Sequence, residues 1–157
     1  MSTILVPIDF SGISTNVIRE AAQLARLTGS RLVLLHVIQP PAIPNDFGMV
    51  LDDFSMYTQA AERNAERHLA LLAGKLAKTG LEVEALWASG YPALCILEQA
   101  RKQSADYIVV GSHGHTAFYD LLVGSTATGV LRRAGCPVIV VPAPKKSARR
   151  MRSPRAV

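Results

Sequence analysis

The sequence predicts a doubly wound α/β domain, a mainly parallel sheet with helices on both faces. Three observations carry that prediction. The segments 3–8, 32–38, 107–110 and 138–141 are almost unbroken apolar runs of strand length. Such runs suit strands covered on both faces, as in a parallel sheet. Between them lie segments with apolar residues at helical spacing, so the order reads β-α-β-α-β-α-β-α-β. Strands separated by helices cannot be joined as hairpins and pair in parallel through right-handed crossovers. Finally, 157 residues is the length of one domain, enough to bury on the order of two thirds of its unfolded surface.

Each element has its own signal. Thr3–Ile8 is aliphatic or β-branched almost throughout. Residues 14–28 place Val17, Ile18, Ala21, Ala22 and Ala25 on one face, with Ser14 as the candidate N-cap and Gly29 as the stop. After the strand at 32–38, residues 39–52 carry three prolines, which rule out a helix at the start of that stretch. This excursion reads as a lid, a partner surface or a disordered loop. Residues 53–79 put Ala61, Ala65, Leu69, Leu72 and Leu76 on a stripe that ends at Gly80. Segment 81–88 alternates more than the other strands and is placed nearer a sheet edge. Residues 92–103 carry Ala93, Ile96, Leu97 and Ala100 at i, i+3, i+4 and i+7. Residues 125–134 repeat that spacing with Ala127, Val130, Leu131 and Ala134, ending at Gly135.

The formal net charge of +5 and a pI near 9.6 suggest a nucleic-acid binder until the charge is located. Six basic residues, Lys145, Lys146, Arg149, Arg150, Arg152 and Arg155, stand in the last 13 positions without an acid. Removing these six from 17 basic residues leaves 11 against 12 acidic ones, a body of charge −1. The basicity therefore belongs to a tail, 145–157, whose composition predicts disorder. A domain at 1–144 precedes it. No stretch approaches the ~20 apolar residues of a membrane span. The N-terminus lacks the basic region of a signal peptide, and the expected location is the cytosol. Cys95 and Cys136 belong to no metal-spaced or redox pair and are expected as reduced thiols. Cys95, among apolar helix residues, reads as a small core hydrophobe.

The most informative run is Gly111-Ser112-His113-Gly114, followed after nine residues by Gly124-Ser125-Thr126. It follows a strand and opens a helix. Closely spaced glycines let the backbone turn and present bare N–H groups. The second Gly-Ser pair adds unpaired donors and the positive end of a helix dipole. Together they form a candidate phosphate cradle. In a doubly wound sheet, ligands bind beyond the carboxyl ends of the strands where strand order reverses. The loops there are 9–13, the stretch after Val37, 89–91 and 111–116.

Asp9 stands at the end of the first strand, where a carboxylate accepts from a sugar hydroxyl or binds a metal through water. An Asx-turn or helix cap fits its position equally. His113 and His115 either donate to phosphate or are solvated loop residues. His36 and His68 read as structural. The segment 124–129 has the Gly-x4-Gly spacing of a P-loop, but Val130-Leu131 stands where Lys-Ser/Thr is required. There is no Gly-x-Gly-x-x-Gly fingerprint, no Gly-x-Ser-x-Gly elbow, no transition-metal set and no paired-carboxylate constellation.

At this point the chain resembles the universal stress protein family. Gly111-x2-Gly114-x9-Gly124-Ser125 matches that family's ATP-binding signature. Ile4-Leu5-Val6-Pro7-Ile8-Asp9 is similar to its first strand, His36-Val37 to the end of its second, and Cys136-Pro137-Val138-Ile139-Val140-Val141 to its last. The resemblance spans residues 2–142 and omits the tail. It implies a Rossmann-like, adenine nucleotide alpha hydrolase-like fold with five parallel strands, and a homodimer paired through the last strand. It also implies the subgroup that binds ATP. Carried over by position, Pro7, Asp9 and Val37 line the adenosine side. Gly111, Ser112, His113, Gly114, His115, Thr116 and Ala117 wrap the ribose and phosphates. Gly124, Ser125, Thr126 and Ala127 hold the outer phosphates, bridged by a divalent cation, Mg²⁺ or Mn²⁺. Adenine specificity rests on the resemblance alone.

The leading expectation is a cytosolic, dimeric ATP-binding stress-response module whose nucleotide state alters contacts with an unidentified protein partner. The alternative is a slow ATPase or autophosphorylating enzyme, with Ser125 or Thr126 as acceptor. Fast turnover needs a positioned base and cationic clamps, and the loops carry no lysine or arginine. A third reading is weak, salt-dependent polyanion binding through the tail.

Overall fold

A computed structural model describes residues 1–40, 51–112 and 123–143, with the backbone alone for 51–55. The order is β1 (Thr3–Ile8), α1 (Ser14–Thr28), β2 (Arg31–Ile38), α2 (Leu51–Ala77), β3 (Val83–Ser89), α3 (Pro92–Lys102), β4 (Tyr107–Gly111), α4 (Ser125–Leu131) and β5 (Val138–Val141). The strands form one sheet in the order β3-β2-β1-β4-β5, and every pairing is parallel.

The chain therefore winds outward from β1 to β3, then crosses back to lay β4 on the other side of β1. That reversal is the switch point of a doubly wound sheet. The β1–β2 ladder runs from Thr3↔Arg31 to Ile8↔His36, whereas the β1–β4 ladder covers only Ile4↔Tyr107 and Leu5↔Ile108. The carboxyl ends of β1 and β4 are left to frame a crevice.

Every residue of β1 is buried, as its unbroken apolar run requires. Side chains alternate between faces along a strand. Ile4, Val6 and Ile8 pack with Val17, Ala21 and Leu69, beneath α1 and α2. Leu5 joins Val33, Leu35, Ile96 and Val130 on the face covered by α3 and α4. At the opposite end from the crevice, Arg31 ties elements together. Its Nε donates to Thr3 Oγ1 (3.0 Å), Nη1 to Glu84 Oε2 (2.8 Å) and Nη2 to Gln103 Oε1 (3.1 Å).

Several local expectations are refined. Gly29 ends α1 in the left-handed region, φ 64°, its N–H donating to Ala25 O. Ser14 does not cap that helix. Ile13 holds the N-cap position with no side-chain cap, and Ser14 is the first helical residue. Helix α2 starts and stops two residues before the expected limits. β3 begins at Val83, after the buried Leu81, and is an edge strand as its alternation predicts. Helix α4 stops three residues early, and Leu131, expected on its buried stripe, is 45% exposed. Ala134 still packs on the core from the turn that follows. Both cysteines are free. Cys95 is half-buried and donates to Ser89 O at 3.7 Å instead of joining the core, while Cys136 packs against the α3/α4 face. No helix among the described residues is long and apolar enough to cross a membrane. Residues 41–50 of the proline-containing loop and the tail fall outside the described residues.

Candidate functional site

β1 ends at the crevice, where Ile8 packs into the α1/α2 core and Ile8 and the following Asp9 both line a cavity. The Asp9 carboxylate is anchored first by its own loop. Oδ1 accepts the Ser11 N–H at 2.9 Å, the Ser11 hydroxyl at 2.5 Å and the Ser14 hydroxyl at 3.0 Å. This is the Asx-turn that the Asp-x-Ser spacing allows, and the Ser14 hydroxyl joins it as a donor. Asp9 thus closes an Asx-turn and lines the cavity at the same time.

Gly111 ends β4. A Cβ there would stand 3.2 Å from Ile13 Cδ1 and 3.3 Å from both Ile13 Cγ2 and Val17 Cγ2. The missing side chain lets α1 lie close against the end of β4. Ser112 then stitches three elements together. Its N–H donates to Val141 O (2.8 Å), its carbonyl accepts the Gly124 N–H (2.6 Å), and its hydroxyl accepts the Ala143 N–H (3.2 Å). The expectation that Gly124 contributes an unpaired donor is therefore corrected, because its N–H is spent on Ser112. The next three amides, of Ser125, Thr126 and Ala127, have no acceptor within their helix, and no side chain caps it. The first intrahelical bond runs from Thr128 N to Gly124 O, 2.9 Å.

These pieces surround one cavity of about 370 Å³, within the range of small-molecule pockets, roughly 300–1,000 Å³. Pro7, Asp9, Val37, Gly111, Ser112, Gly124, Ser125, Thr126 and Ala127 all line it. The structure thus brings together strand ends and a helix start that lie more than a hundred residues apart in sequence. His113, Gly114, His115, Thr116 and Ala117 lie outside the described residues. The cavity is also lined by Ile8, Ile13, Ser14, Val17, Leu35, Gln39, Pro92, Ile96 and Val110, none of which the sequence marked as a binding residue. The signal for Ser14 was present in the Asp9-x-Ser11-x-x-Ser14 spacing. The signal for Pro92 was its place just after loop 89–91, at the same end of the sheet.

The lining has two chemistries. Pro7, Leu35, Val37 and Ile96 offer apolar surface, while the first turn of α4 offers backbone donors and the positive end of its dipole. Among the described residues no lysine or arginine lines the cavity. No group of three His, Cys, Asp or Glu side chains able to hold a metal occurs among them either.

Comparison with known proteins gives this arrangement a context. A sequence profile of the universal stress protein family matches residues 1–142. A universal stress protein of Thermus aquaticus, from the region 3′ of its QAH/OAS sulfhydrylase, is 34% identical over 140 residues, covering 88% of this chain and 97% of that one. Among solved structures, universal stress protein UspA from Lactobacillus plantarum superposes with a TM-score of 0.79 at 25% identity, covering 89% of this chain and 97% of its own. A universal stress protein from Archaeoglobus fulgidus, solved in complex with dAMP, has a TM-score of 0.62 at 25% identity and covers 89% and 97% of the two chains. With the matched profile, the shared five-stranded parallel sheet and the cavity at its switch point, the chain belongs to the universal stress protein family.

Proposed function

We propose that this chain is a nucleotide-binding module that takes ATP at the switch-point cavity. The observation that carries the reading is the meeting of Asp9, Val37, Ser112 and the first turn of α4 around one cavity of about 370 Å³. The dAMP complex of the Archaeoglobus relative supports an adenine nucleotide as the ligand. In this reading the apolar wall of Pro7, Leu35, Val37 and Ile96 receives the base. Asp9 accepts a hydrogen bond from the nucleoside. The amides of Ser125, Thr126 and Ala127 meet phosphate oxygens, with the helix dipole reinforcing them. Residues 113–117 of the glycine motif complete the phosphate wrap. A divalent cation, Mg²⁺ or Mn²⁺, is held chiefly by the phosphates themselves. The bound nucleotide acts as a switch on partner contacts in a cytosolic homodimer paired through β5, and the basic tail is a separate handle for weak polyanion binding.

The test is to denature the purified protein, chromatograph the released nucleotide and titrate nucleotide-free protein with MgATP by calorimetry. The expected result is a bound adenine nucleotide, or saturable binding at one site per chain. Folded protein that releases no nucleotide and takes up no ATP would refute the reading.

A further inference from the structure

Phe10 follows Asp9 with φ 60°. A bulky side chain rarely occupies the left-handed region, and such residues persist only where their surroundings hold them. Here the surroundings are two histidines. The Phe10 ring stacks on His36, with centroids 4.3 Å apart and planes at 26°, and it meets His68 of α2 edge-on at 5.1 Å and 68°. His36 is itself fixed, with Nδ1 2.9 Å from the Ile8 carbonyl oxygen. A carbonyl only accepts, so Nδ1 carries the hydrogen and donates. Ile8 and His36 are also register partners across β1 and β2. A closed path thus runs from Ile8 to His36 to Phe10 and back along the backbone through Asp9.

Two adjacent pairs are split by this arrangement. Asp9 and Val37 line the cavity, while their neighbours Phe10 and His36 lie behind, with Phe10 packed on the α1/α2 core. The ring is therefore an anchor on the far side of the residue it serves. Resting on the nucleotide reading above, we propose that Phe10 is a positioning residue for Asp9. Its left-handed backbone, held by the ring contacts with His36 and His68, sets the carboxylate where it accepts from a hydrogen-bond donor of the bound nucleoside. That donor is a ribose hydroxyl or the base amino group.

Calorimetry on the full chain separates this role from a general contribution to folding. The ligands are ATP, 2′-deoxy-ATP, 3′-deoxy-ATP and purine riboside triphosphate, which lacks the amino group. Wild-type protein should bind at least one donor-lacking analogue roughly tenfold more weakly than ATP, the loss expected for one hydrogen bond to a charged group. The analogue that weakens identifies the donor. Phe10→Ala should weaken ATP until it matches that analogue, whose own affinity stays within about twofold of wild type, while Phe10→Tyr should keep the wild-type ratio. If Phe10→Ala fails to fold, Phe10→Leu keeps the apolar bulk without the ring and should show the same collapse. A wild-type ratio in a folded Ala or Leu variant, whatever its melting temperature, overturns the proposal. So does a wild-type protein that binds ATP and all three analogues equally. Absence of any ATP binding refutes the nucleotide reading first, and this inference with it.

Discussion

Gly111 illustrates how much can depend on one absent methyl group. A Cβ at this position would crowd Ile13 and Val17 at 3.2–3.3 Å, closer than comfortable carbon contacts, yet the neighbours are side-chain ends that can yield a few tenths of an ångström. Gly111→Ala should therefore fold but lose about 1–3 kcal/mol, the usual cost of overpacking, visible as a lower urea midpoint with unchanged slope. An unchanged midpoint would mean that α1 does not depend on this close approach. The cysteines make a second residue-scale case. Burial raises the pKa of Cys95, with the Glu98 charge adding to it, and burial raises that of Cys136, with Asp106 adding. A raised pKa leaves less thiolate at a given pH, and thiolate is the reactive form. At pH 8 both thiols should react with iodoacetamide more slowly in the folded protein than in urea. Equal rates in the two states would contradict these environments.

At the scale of elements, the packing of α3 on α4 turns on Gly129. A Cβ there would stand 2.9 Å from the Ala93 Cβ, and neither atom is the end of a flexible side chain. Helix propensity alone would favour Gly129→Ala by about 1 kcal/mol. The contact reverses that sign, so the variant should be less stable than wild type by thermal melting. Adding Ala93→Gly should recover part of the loss, a coupling that a double-mutant cycle reads directly. Purely additive effects would show that the helices are not held at this point. The same residue marks the limit of what the sequence tells. Apolar period and glycine stops located all nine elements among the described residues to within a few residues, because burial on one or two faces leaves a local trace. Gly129 looked like part of an imperfect phosphate loop, since its reason lies on another helix. The cavity was legible at Asp9, Val37 and Gly124-Ser125-Thr126-Ala127 because strand ends and helix starts are local features. Ile96 and Val17, spaced like any core residue, gave no sign that they also line it. Nor did Phe10 reveal its left-handed backbone, which depends on rings from β2 and α2.

For the whole molecule, the decisive question is what becomes of the sheet edges. β3 lies at one edge and is backed by α2, with Trp87 Nε1 donating to Glu66 Oε1 at 3.2 Å. β5 forms the other edge. It has four residues, pairs with β4 on one side, and leaves Ile139 38% exposed. An apolar edge strand with an open hydrogen-bonding side is a template for a second chain, and pairing two copies of β5 satisfies both at once. A charge placed in a buried strand would threaten the fold itself. Ile139 is exposed, so that cost does not apply to it. Ile139→Lys should change intrinsic stability by about 1 kcal/mol or less, as surface substitutions do, while placing like charges against each other across a paired edge. Sedimentation equilibrium should give a dimer for wild type at micromolar concentration and a monomer for the variant. The melting temperature of the wild type should rise with protein concentration, because association stabilises the folded state by mass action, and that dependence should vanish in the variant. A wild type that sediments as a monomer, or a variant that remains fully dimeric, would place the interface elsewhere or remove it.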